Sequence, residues 1–267
     1  MQLPGGLVED GMRRRDWAFR PLSGALELAL AEAGEDAAST PQAVTRALSL
    51  ALDHLAGAPP TPPRVAGLCV GDRQFLMREL DRHLGYAGGW LHAECGKCGA
   101  RFDFNLDYAE LPVQEAGEGY PQAQVDMDGL QLRFRLPTGA DQEILARLPE
   151  AEARPWLLRQ LASEPEALPP FGRLPGQDLI AAVEVALESI SPGIVLRVQT
   201  ACPECGSGNA VELDPYRALS RRSDALLQEV HQIAVHYHWS EADILDLPRP
   251  RRQRYLQLID RARGMAE

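Results

Sequence analysis

The chain has 267 residues, a hydrophobic share of 45% and a formal net charge of −11 at pH 7. This length can bury one large core or two smaller ones, and the composition argues against wholesale disorder. The negative charge opposes general binding to a phosphate backbone. No apolar run approaches the length of a membrane span, and the first residues lack the regions of a secretory signal. We therefore expect a cytoplasmic protein, or one built into a particle assembled in the cytoplasm.

Residues 1–89 are predicted to form an N-terminal arm followed by helices. The alternation over 17–22, with Pro21 unable to donate to a ladder, indicates an extended arm or an edge strand. Three helices are expected after it, because apolar residues recur there at helical spacing. They cover 23 to about 33, 39–57 and 72 to about 84. The proline-rich run 59–63 is predicted to be a stiff connector.

Four of the five cysteines form two C-x-x-C-G turns, at residues 95–99 and 202–206. Two such turns supply the tetrahedral set of four thiolates that zinc prefers. Strand-like segments flank each turn, and a Leu-Asp pair recurs at the same offset after each second cysteine. Residues 90–111 and 194–219 are therefore predicted to be two zinc knuckles, β-hairpins that share one structural zinc ion. The predicted ligands are Cys95, Cys98, Cys202 and Cys205.

Other uses of these cysteines are less favoured by the pattern. Four thiolates close the coordination sphere and leave no position for water or substrate, which favours a structural ion over a catalytic one. A redox C-x-x-C is expected singly and near a βαβ pattern. Disulfides are disfavoured by the missing signal and by an odd cysteine, Cys69, in an apolar run. His92, three residues before Cys95, could replace a thiolate, but four cysteines already suffice.

Residues 112–193, between the knuckles, are predicted to form an insertion with structure of its own. Asp128-Gly129 between two alternating runs indicates a hairpin with a type I′ turn. Helices are expected over 138–148, about 152–162 and 177–190, with a proline-rich loop over 164–175. Because the ion would hold residues 95 and 205 together, we expect it also to dock this insertion onto the N-terminal part.

Residues 220–267 are predicted to be a helical docking segment. A capping box at 240–243 opens a short helix, and a final helix follows the prolines after it. Arginines make this end basic within an acidic protein. One interpretation is a nucleic-acid patch, but apart from Tyr255 no aromatic residue interleaves with the arginines. The other interpretations are a solvated helix face or a docking surface for an acidic partner, and we favour docking. The predicted partner-binding residues are Trp239, Arg251, Arg252, Arg254, Tyr255 and Ile259.

None of the remaining motifs indicates an enzyme. His231, His236 and His238 do not share one helix face and lack the acidic base of an H-E-x-x-H site, so we interpret them as helix-end histidines. No nucleophile elbow, Walker loop or dinucleotide fingerprint is present. The predicted fold class is α+β, with a zinc-ribbon-like pair of hairpins, helical N- and C-terminal parts, and an inserted hairpin followed by helices.

Several separated stretches, taken together, resemble one known family. They are L-P-G-G-L at 3–7, F-R-P-L-S-G at 19–24, V-G-D-R at 70–73, F-R-L-P-T-G at 134–139, the two zinc knuckles, and the ending at 237–245 with 251–256. This pattern resembles the T4-type baseplate hub or baseplate assembly chaperone family of contractile phage tails and extracellular contractile injection systems. The resemblance covers most of the chain.

The resemblance implies a non-enzymatic protein that acts by contact within the baseplate at the tail tip, or during its assembly. It implies partners among other baseplate, hub or tube proteins. Charge and hydropathy, as described above, predict no nucleic acid and no membrane span. The resemblance leaves open whether the chain stays in the particle or leaves as a chaperone. The main alternative is a zinc-ribbon nucleic-acid-binding adaptor or regulator. A thiol-redox or zinc-hydrolase enzyme comes third, because it requires an open coordination position.

Overall fold

The computed structural model describes residues 1–127, 130–168, 177–220 and 222–264, and it confirms the predicted α+β class. The strands in these ranges are β1 (Gln2–Glu9), β2 (Met12–Phe19), β3 (Leu52–Leu55), β4 (Gly88–Glu94), β5 (Arg101–Asp107), β6 (Val113–Gln114), β7 (Gln122–Met127), β8 (Leu130–Arg135), β9 (Gly193–Ile194), β10 (Arg197–Ala201) and β11 (Gly208–Glu212). The helices are α1 (Gly24–Glu35), α2 (Thr40–Ala51), α3 (Pro62–Ala66), α4 (Val70–His83), α5 (Gly139–Leu145), α6 (Glu150–Leu161), α7 (Gln177–Ile190), α8 (Ser223–Tyr237), α9 (Glu241–Leu245) and α10 (Arg249–Ala262). None of the helices in the described ranges is long and apolar enough to cross a membrane.

The N-terminal part contains a three-stranded antiparallel sheet in the order β1-β2-β3. Residues 17–19 are extended, as predicted, but the prediction of an arm or edge strand reaching residue 22 is wrong, because β2 is the central strand and ends before Pro21. Asp10 and Gly11 reverse the chain with φ of 50° and 72°, as a two-residue hairpin turn requires. Trp17 is consequently only 1% exposed, at the centre of the N-terminal core.

The second predicted helix, over 39–57, is too long. The helix stops before Leu52, and β3 then pairs with β2. Leu52 and Leu55 continue the apolar repeat of α2 and are fully buried, but as strand residues. The proline-rich run 59–63 is not only a connector, because Pro62 begins α3, and proline is tolerated in the first turn of a helix.

The other N-terminal helices follow the sequence pattern. The Ser23 side chain accepts a hydrogen bond from the Leu26 amide at 3.2 Å, so it caps α1 as predicted. The helices expected over 23–33 and 72–84 are confirmed as α1 and α4. Together with the sheet they bury one continuous apolar cluster, to which Ala218 near the C-terminal end of the second knuckle also contributes.

The insertion has a hairpin and a core of its own. β7 and β8 pair from Gln122↔Arg135 to Met127↔Leu130, while the predicted turn at Asp128-Gly129 lies outside the described residues. The helices predicted over 138–148 and about 152–162 are confirmed as α5, which ends three residues earlier, and α6, which begins two residues earlier. α7 has the predicted bounds. A short 3-10 turn opens the predicted loop at Pro165–Ala167, and residues 169–175 of that loop lie outside the described residues. β6 pairs with β9 at the base of the insertion.

The start of α4 is a junction between the N-terminal hairpin and the rest of the chain. The V-G-D-R stretch at 70–73 places Asp72 in the protein interior, where it is 0% exposed. Its two carboxylate oxygens accept hydrogen bonds from the amides of Gly5 and Gly6, each at 2.7 Å. Because the buried carboxylate satisfies two adjacent amides, it fixes the L-P-G-G-L stretch of β1 against α4.

The next residue, Arg73, extends the same junction towards the insertion. Its guanidinium is 1% exposed and donates to the carbonyls of Pro41 at 2.7 Å and Val65 at 3.2 Å. Gly139, at the start of α5, lies directly against it, so that a Cβ there would stand 2.2 Å from Arg73 Nη1. A side chain at the glycine of the F-R-L-P-T-G stretch would therefore have to displace the end of a buried arginine.

Backbone hydrogen bonds dock the insertion onto the N-terminal part at this junction. The Val70 amide donates to the Pro137 carbonyl, and the Gly139 amide donates to the Leu68 carbonyl, both at 3.1 Å. We expected the cysteine-bound ion to dock the insertion. These backbone contacts join the two parts without the cysteines, and the added docking by the ion stays a prediction.

The C-terminal part is helical, as predicted. Ser240 and Asp243 form the expected capping box of α9, in which the Asp243 amide donates to Ser240 Oγ at 3.2 Å. α8, α9 and α10 enclose a cluster whose buried members are Leu226, Val230, Ile233, Ile244, Leu245 and Ile259. Leu28 of α1 packs against it, so the C-terminal helices are joined to the N-terminal part.

Candidate metal centre

The two predicted knuckles fold as two copies of one hairpin. β4 pairs with β5 up to Glu94↔Arg101, and β10 pairs with β11 up to Ala201↔Gly208. The same two backbone hydrogen bonds close each turn, all at 2.9 Å. The amide of the first cysteine donates to the carbonyl of the residue five positions later. The carbonyl of the first cysteine accepts from the amide of the glycine that follows the second cysteine. Gly99 and Gly206 have φ of 71° and 70°, which explains why each C-x-x-C is followed by glycine.

The hairpins bring all four predicted ligands together. The sulfur atoms of Cys95, Cys98, Cys202 and Cys205 lie within 4.8 Å of one another. The distance is 3.6 Å from Cys95 Sγ to Cys205 Sγ and 3.7 Å from Cys98 Sγ to Cys202 Sγ. A tetrahedral ion with metal–sulfur bonds of about 2.3 Å has sulfur–sulfur edges of about 3.8 Å. The arrangement therefore fits one metal ion between the hairpins.

The charge of the sulfur cluster also favours a cation. The amides of Cys98 and Lys97 hydrogen bond to the Cys95 sulfur and lower its pKa to about 6. The amide of Ala100 likewise lowers the pKa of Cys98. The neighbouring sulfurs, of which Cys205 has the largest effect, outweigh it and raise the pKa of Cys98 to about 12. Four thiolates at these distances repel one another, so all four can be deprotonated together only around a positive ion.

Asn209 of the second hairpin supports the first turn, a role that the sequence did not reveal. Its Oδ1 accepts from the Gly96 amide at 3.0 Å, and its Nδ2 lies 3.8 Å from Cys95 Sγ. Such outer hydrogen bonds orient metal ligands. The signal that could have found it is a break in the repeat, because the equivalent position of the first knuckle holds Phe102, which packs against Cys95 and Cys202.

The histidines take no part in the cluster. His92 lies on the exposed face of β4, where its Nδ1 is 2.6 Å from Asp103 Oδ1. His231 and His238 are exposed, and His236 Nδ1 lies 3.0 Å from a backbone carbonyl of its own helix. Within the described residues, the four cysteines form the one group that can hold a metal ion.

Two of the predicted partner-binding residues face the interior, which corrects their placement. Ile259 is 2% exposed and belongs to the C-terminal core. Arg252 is 0% exposed, and its guanidinium contacts Glu27 Oε1 at 2.7 Å, Glu229 Oε2 at 3.4 Å and the Leu247 carbonyl at 2.8 Å. Arg252 thus fixes α10 against α1 and α8, and it is not free to contact a partner.

The other four predicted partner-binding residues lie at the surface. Arg251 and Arg254 are exposed on α10. Trp239 and Tyr255 are half-buried and form an aromatic triad with Tyr237. The ring centroids are 5.2 Å apart for Tyr237 and Trp239, 5.3 Å for Tyr237 and Tyr255, and 4.9 Å for Trp239 and Tyr255. The triad therefore forms a packed, partly open aromatic surface beside exposed arginines.

Comparisons of this chain with family models, with curated proteins and with solved structures found no match.

Proposed function

We propose that this chain is a non-enzymatic structural or assembly protein of the baseplate of a contractile phage-tail-like injection system. In this proposal one zinc ion holds its two C-x-x-C hairpins together. The observation that carries the proposal is the closed set of four sulfurs between two hairpins. Because all the coordination positions of a tetrahedral ion would be filled by protein, the ion would hold the hairpins together and bind no substrate.

Zinc is the metal that this donor set suits best. Four cysteine sulfurs in a tetrahedron are typical of zinc or iron–sulfur sites, and not of the harder cations that prefer oxygen. The two C-x-x-C-G turns have the same hydrogen bonds, and the sulfur spacing suits a single ion, which supports the proposal. The ion would join residues that are far apart in the sequence, since 110 positions separate Cys95 from Cys205.

The baseplate assignment is supported by the resemblance and by where its stretches lie. L-P-G-G-L at 3–7, V-G-D-R at 70–73 and F-R-L-P-T-G at 134–139 meet at one junction, through Asp72 and Arg73. Three separated stretches thus form one structural element. If the resemblance is real, these three stretches would form the same junction in other members of the family.

A size-fractionated pull-down of the tagged, full-length protein from its own host tests the proposal, with mass spectrometry of each fraction. We expect co-migration with sheath, tube or baseplate proteins. Recovery in the fraction of assembled particles would indicate a resident component, and recovery only in small complexes would indicate a chaperone. Recovery with nucleic acid, or alone as a metal-bound monomer, would contradict the proposal.

The alternative proposal, a nucleic-acid-binding adaptor or regulator, is favoured by one observation. Arg251, Arg254, Arg261 and Arg263 are exposed at the C-terminal end and form no ion pair with another described residue. Binding of phosphates by these arginines would weaken steeply as salt increases. A filter-binding titration with duplex DNA and single-stranded RNA at several salt concentrations decides between the two proposals, because a baseplate protein should show no such binding.

A further inference from the structure

We propose that one face of α10 docks an acidic segment of a partner protein that carries a large apolar side chain. This inference rests on the proposed function, since it names the chemistry of the partner. The surface, called here the α10 outer face, consists of Arg251, Arg254, Leu258 and Arg261, with Tyr255 and Trp239 along its edge.

The spacing of these residues creates a single stripe. Arg251, Arg254, Leu258 and Arg261 are separated by three, four and three positions, which places them along one side of a helix. All four are exposed, and Leu258 keeps 41% of its surface open to solvent. The stripe thus combines three positive charges with an apolar residue between them.

The arginines of this stripe form no ion pair with another residue in the described part of the chain. Arg252, on the opposite side of α10, has two glutamates as ion-pair partners, whereas Arg251, Arg254 and Arg261 have none. The chain carries 38 acidic residues against 27 basic ones, so acidic groups are abundant elsewhere. An external acidic segment would supply the charges that complement this face.

The aromatic edge supplies the apolar half of the surface. Tyr255 follows Arg254 directly, and its ring packs edge-on against Trp239 with centroids 4.9 Å apart. Both rings are half-buried and are held from behind by Tyr237. Rigid, partly open Trp and Tyr rings beside arginine are the residue types that dominate binding energy at protein interfaces. An apolar side chain of the partner would pack between Leu258 and this edge.

A nucleic acid fits the same surface less well. The stripe offers three arginines along one helix side, while the whole chain carries a net charge of −11 that repels a phosphate backbone. Leu258 lies in the middle of the stripe and gains nothing from contact with phosphates.

Binding of labelled peptides to the full-length, zinc-loaded protein tests this inference by fluorescence anisotropy. The probe is a short synthetic peptide rich in Glu and Asp with a leucine and a tryptophan. Its control is the same peptide with Gln and Asn at every acidic position, and a duplex DNA oligonucleotide is the third probe. We expect the acidic peptide to bind and the neutral peptide and DNA not to bind. Absence of acidic-peptide binding, or equal binding of the neutral peptide, would overturn the inference.

Variants locate the binding surface. We expect Arg251→Glu/Arg254→Glu to weaken the acidic peptide about tenfold or more, and Leu258→Ser to weaken it several-fold. The matched control is Arg147→Glu/Arg154→Glu, which makes the same charge change at exposed arginines of the insertion. All these side chains are exposed, so zinc content and melting temperature should stay at the wild-type level.

The outcomes separate this inference from the proposed function. Equal losses in the test and control variants, or no loss with Leu258→Ser, would mean unspecific charge attraction and would overturn the docking surface. DNA binding that the α10 variants abolish would replace the acidic partner by a nucleic acid. If the peptide results hold but the pull-down recovers no baseplate protein, the proposed function fails and the docking chemistry stands.

Discussion

The buried ion-pair network of Arg252 gives the sharpest test of how the C-terminal helices are attached. Arg252→Met keeps the apolar stem of the side chain but removes the guanidinium. Glu27, whose side chain is 9% exposed, then loses its ion pair with Arg252 at 2.7 Å. Glu229, whose side chain is 22% exposed, loses its ion pair at 3.4 Å. Breaking a buried ion pair from one side costs about 3–5 kcal/mol, because the remaining charge is left without compensation. We therefore expect a loss of about 3–5 kcal/mol in the free energy of unfolding.

Urea denaturation followed by far-UV circular dichroism measures this loss by linear extrapolation. The matched control is Arg251→Met, one position earlier on the same helix, where the arginine is exposed and forms no ion pair with another described residue. That change should stay within about 0.5 kcal/mol. The double variant Arg252→Met/Glu27→Gln should recover part of the loss, since it neutralises the carboxylate left behind.

Two results would refute this reasoning. A loss below about 1 kcal/mol for Arg252→Met would mean that the glutamates are solvated well enough to stand alone. Equal losses for the variants at 251 and 252 would mean that the buried and the exposed arginine are energetically alike, contrary to the burial that distinguishes them.

Three further predictions concern the metal centre and the junction. If the four cysteines hold one zinc ion as proposed, Cys98→Ser should reduce the bound metal, measured by atomic emission, to a small fraction and lower the melting temperature, while Cys69→Ser keeps the ion. Burial alone would raise the pKa of Asp141, but hydrogen bonds from Arg135 and the cap of α5 outweigh it and lower the pKa. The stability that Asp141→Asn removes should therefore be constant above the unfolded-state pKa of about 3.9 and vanish as pH falls through the lower folded-state pKa. Gly139→Ala should destabilise by about 1–3 kcal/mol in urea denaturation, because its methyl group would stand 2.2 Å from a buried guanidinium nitrogen.

Each of these has a contrary result. Unchanged zinc content in Cys98→Ser would remove that thiolate from the ligand set. A stability difference for Asp141→Asn that already shrinks between neutral pH and about 5 would assign the titration to another group, since the folded-state pKa lies below 3.9. Wild-type stability of Gly139→Ala would show that the guanidinium can move aside without cost.

The knuckles could be predicted from the sequence because their determinants are local. The cysteine spacing, the glycine after each pair and the alternating strands all lie within one hairpin, and the second copy repeats them. The N-terminal sheet was missed because β3 continues the apolar repeat of α2. Leu52 and Leu55 suit both a helix stripe and a buried strand, and only pairing with β2, more than thirty positions away, decides between them.

The direction of the C-terminal arginines could not be read from the sequence for the same reason. Arg251, Arg252 and Arg254 are alike in type and neighbourhood, but only Arg252 turns towards Glu27, 225 positions earlier in the chain. Helical spacing shows which of these arginines share one side of α10. Which face is inside depends on how α10 packs against α1 and α8, and that packing is set by tertiary contacts.

Buried and exposed arginines alternate within one short stretch, so the residues that hold the fold differ from those that we propose contact a partner. At the junction, Asp72 and Arg73 satisfy backbone groups of distant segments and expose almost nothing. In the stretch 251–256, Arg252 does the same, while Arg251 and Arg254 point outward. Changes at Asp72, Arg73 or Arg252 should therefore disturb the fold, whereas changes at the exposed Arg251 and Arg254 should leave it intact. Under the proposed docking surface, changes at the inward residues should alter stability, and changes at the outward ones should alter partner binding.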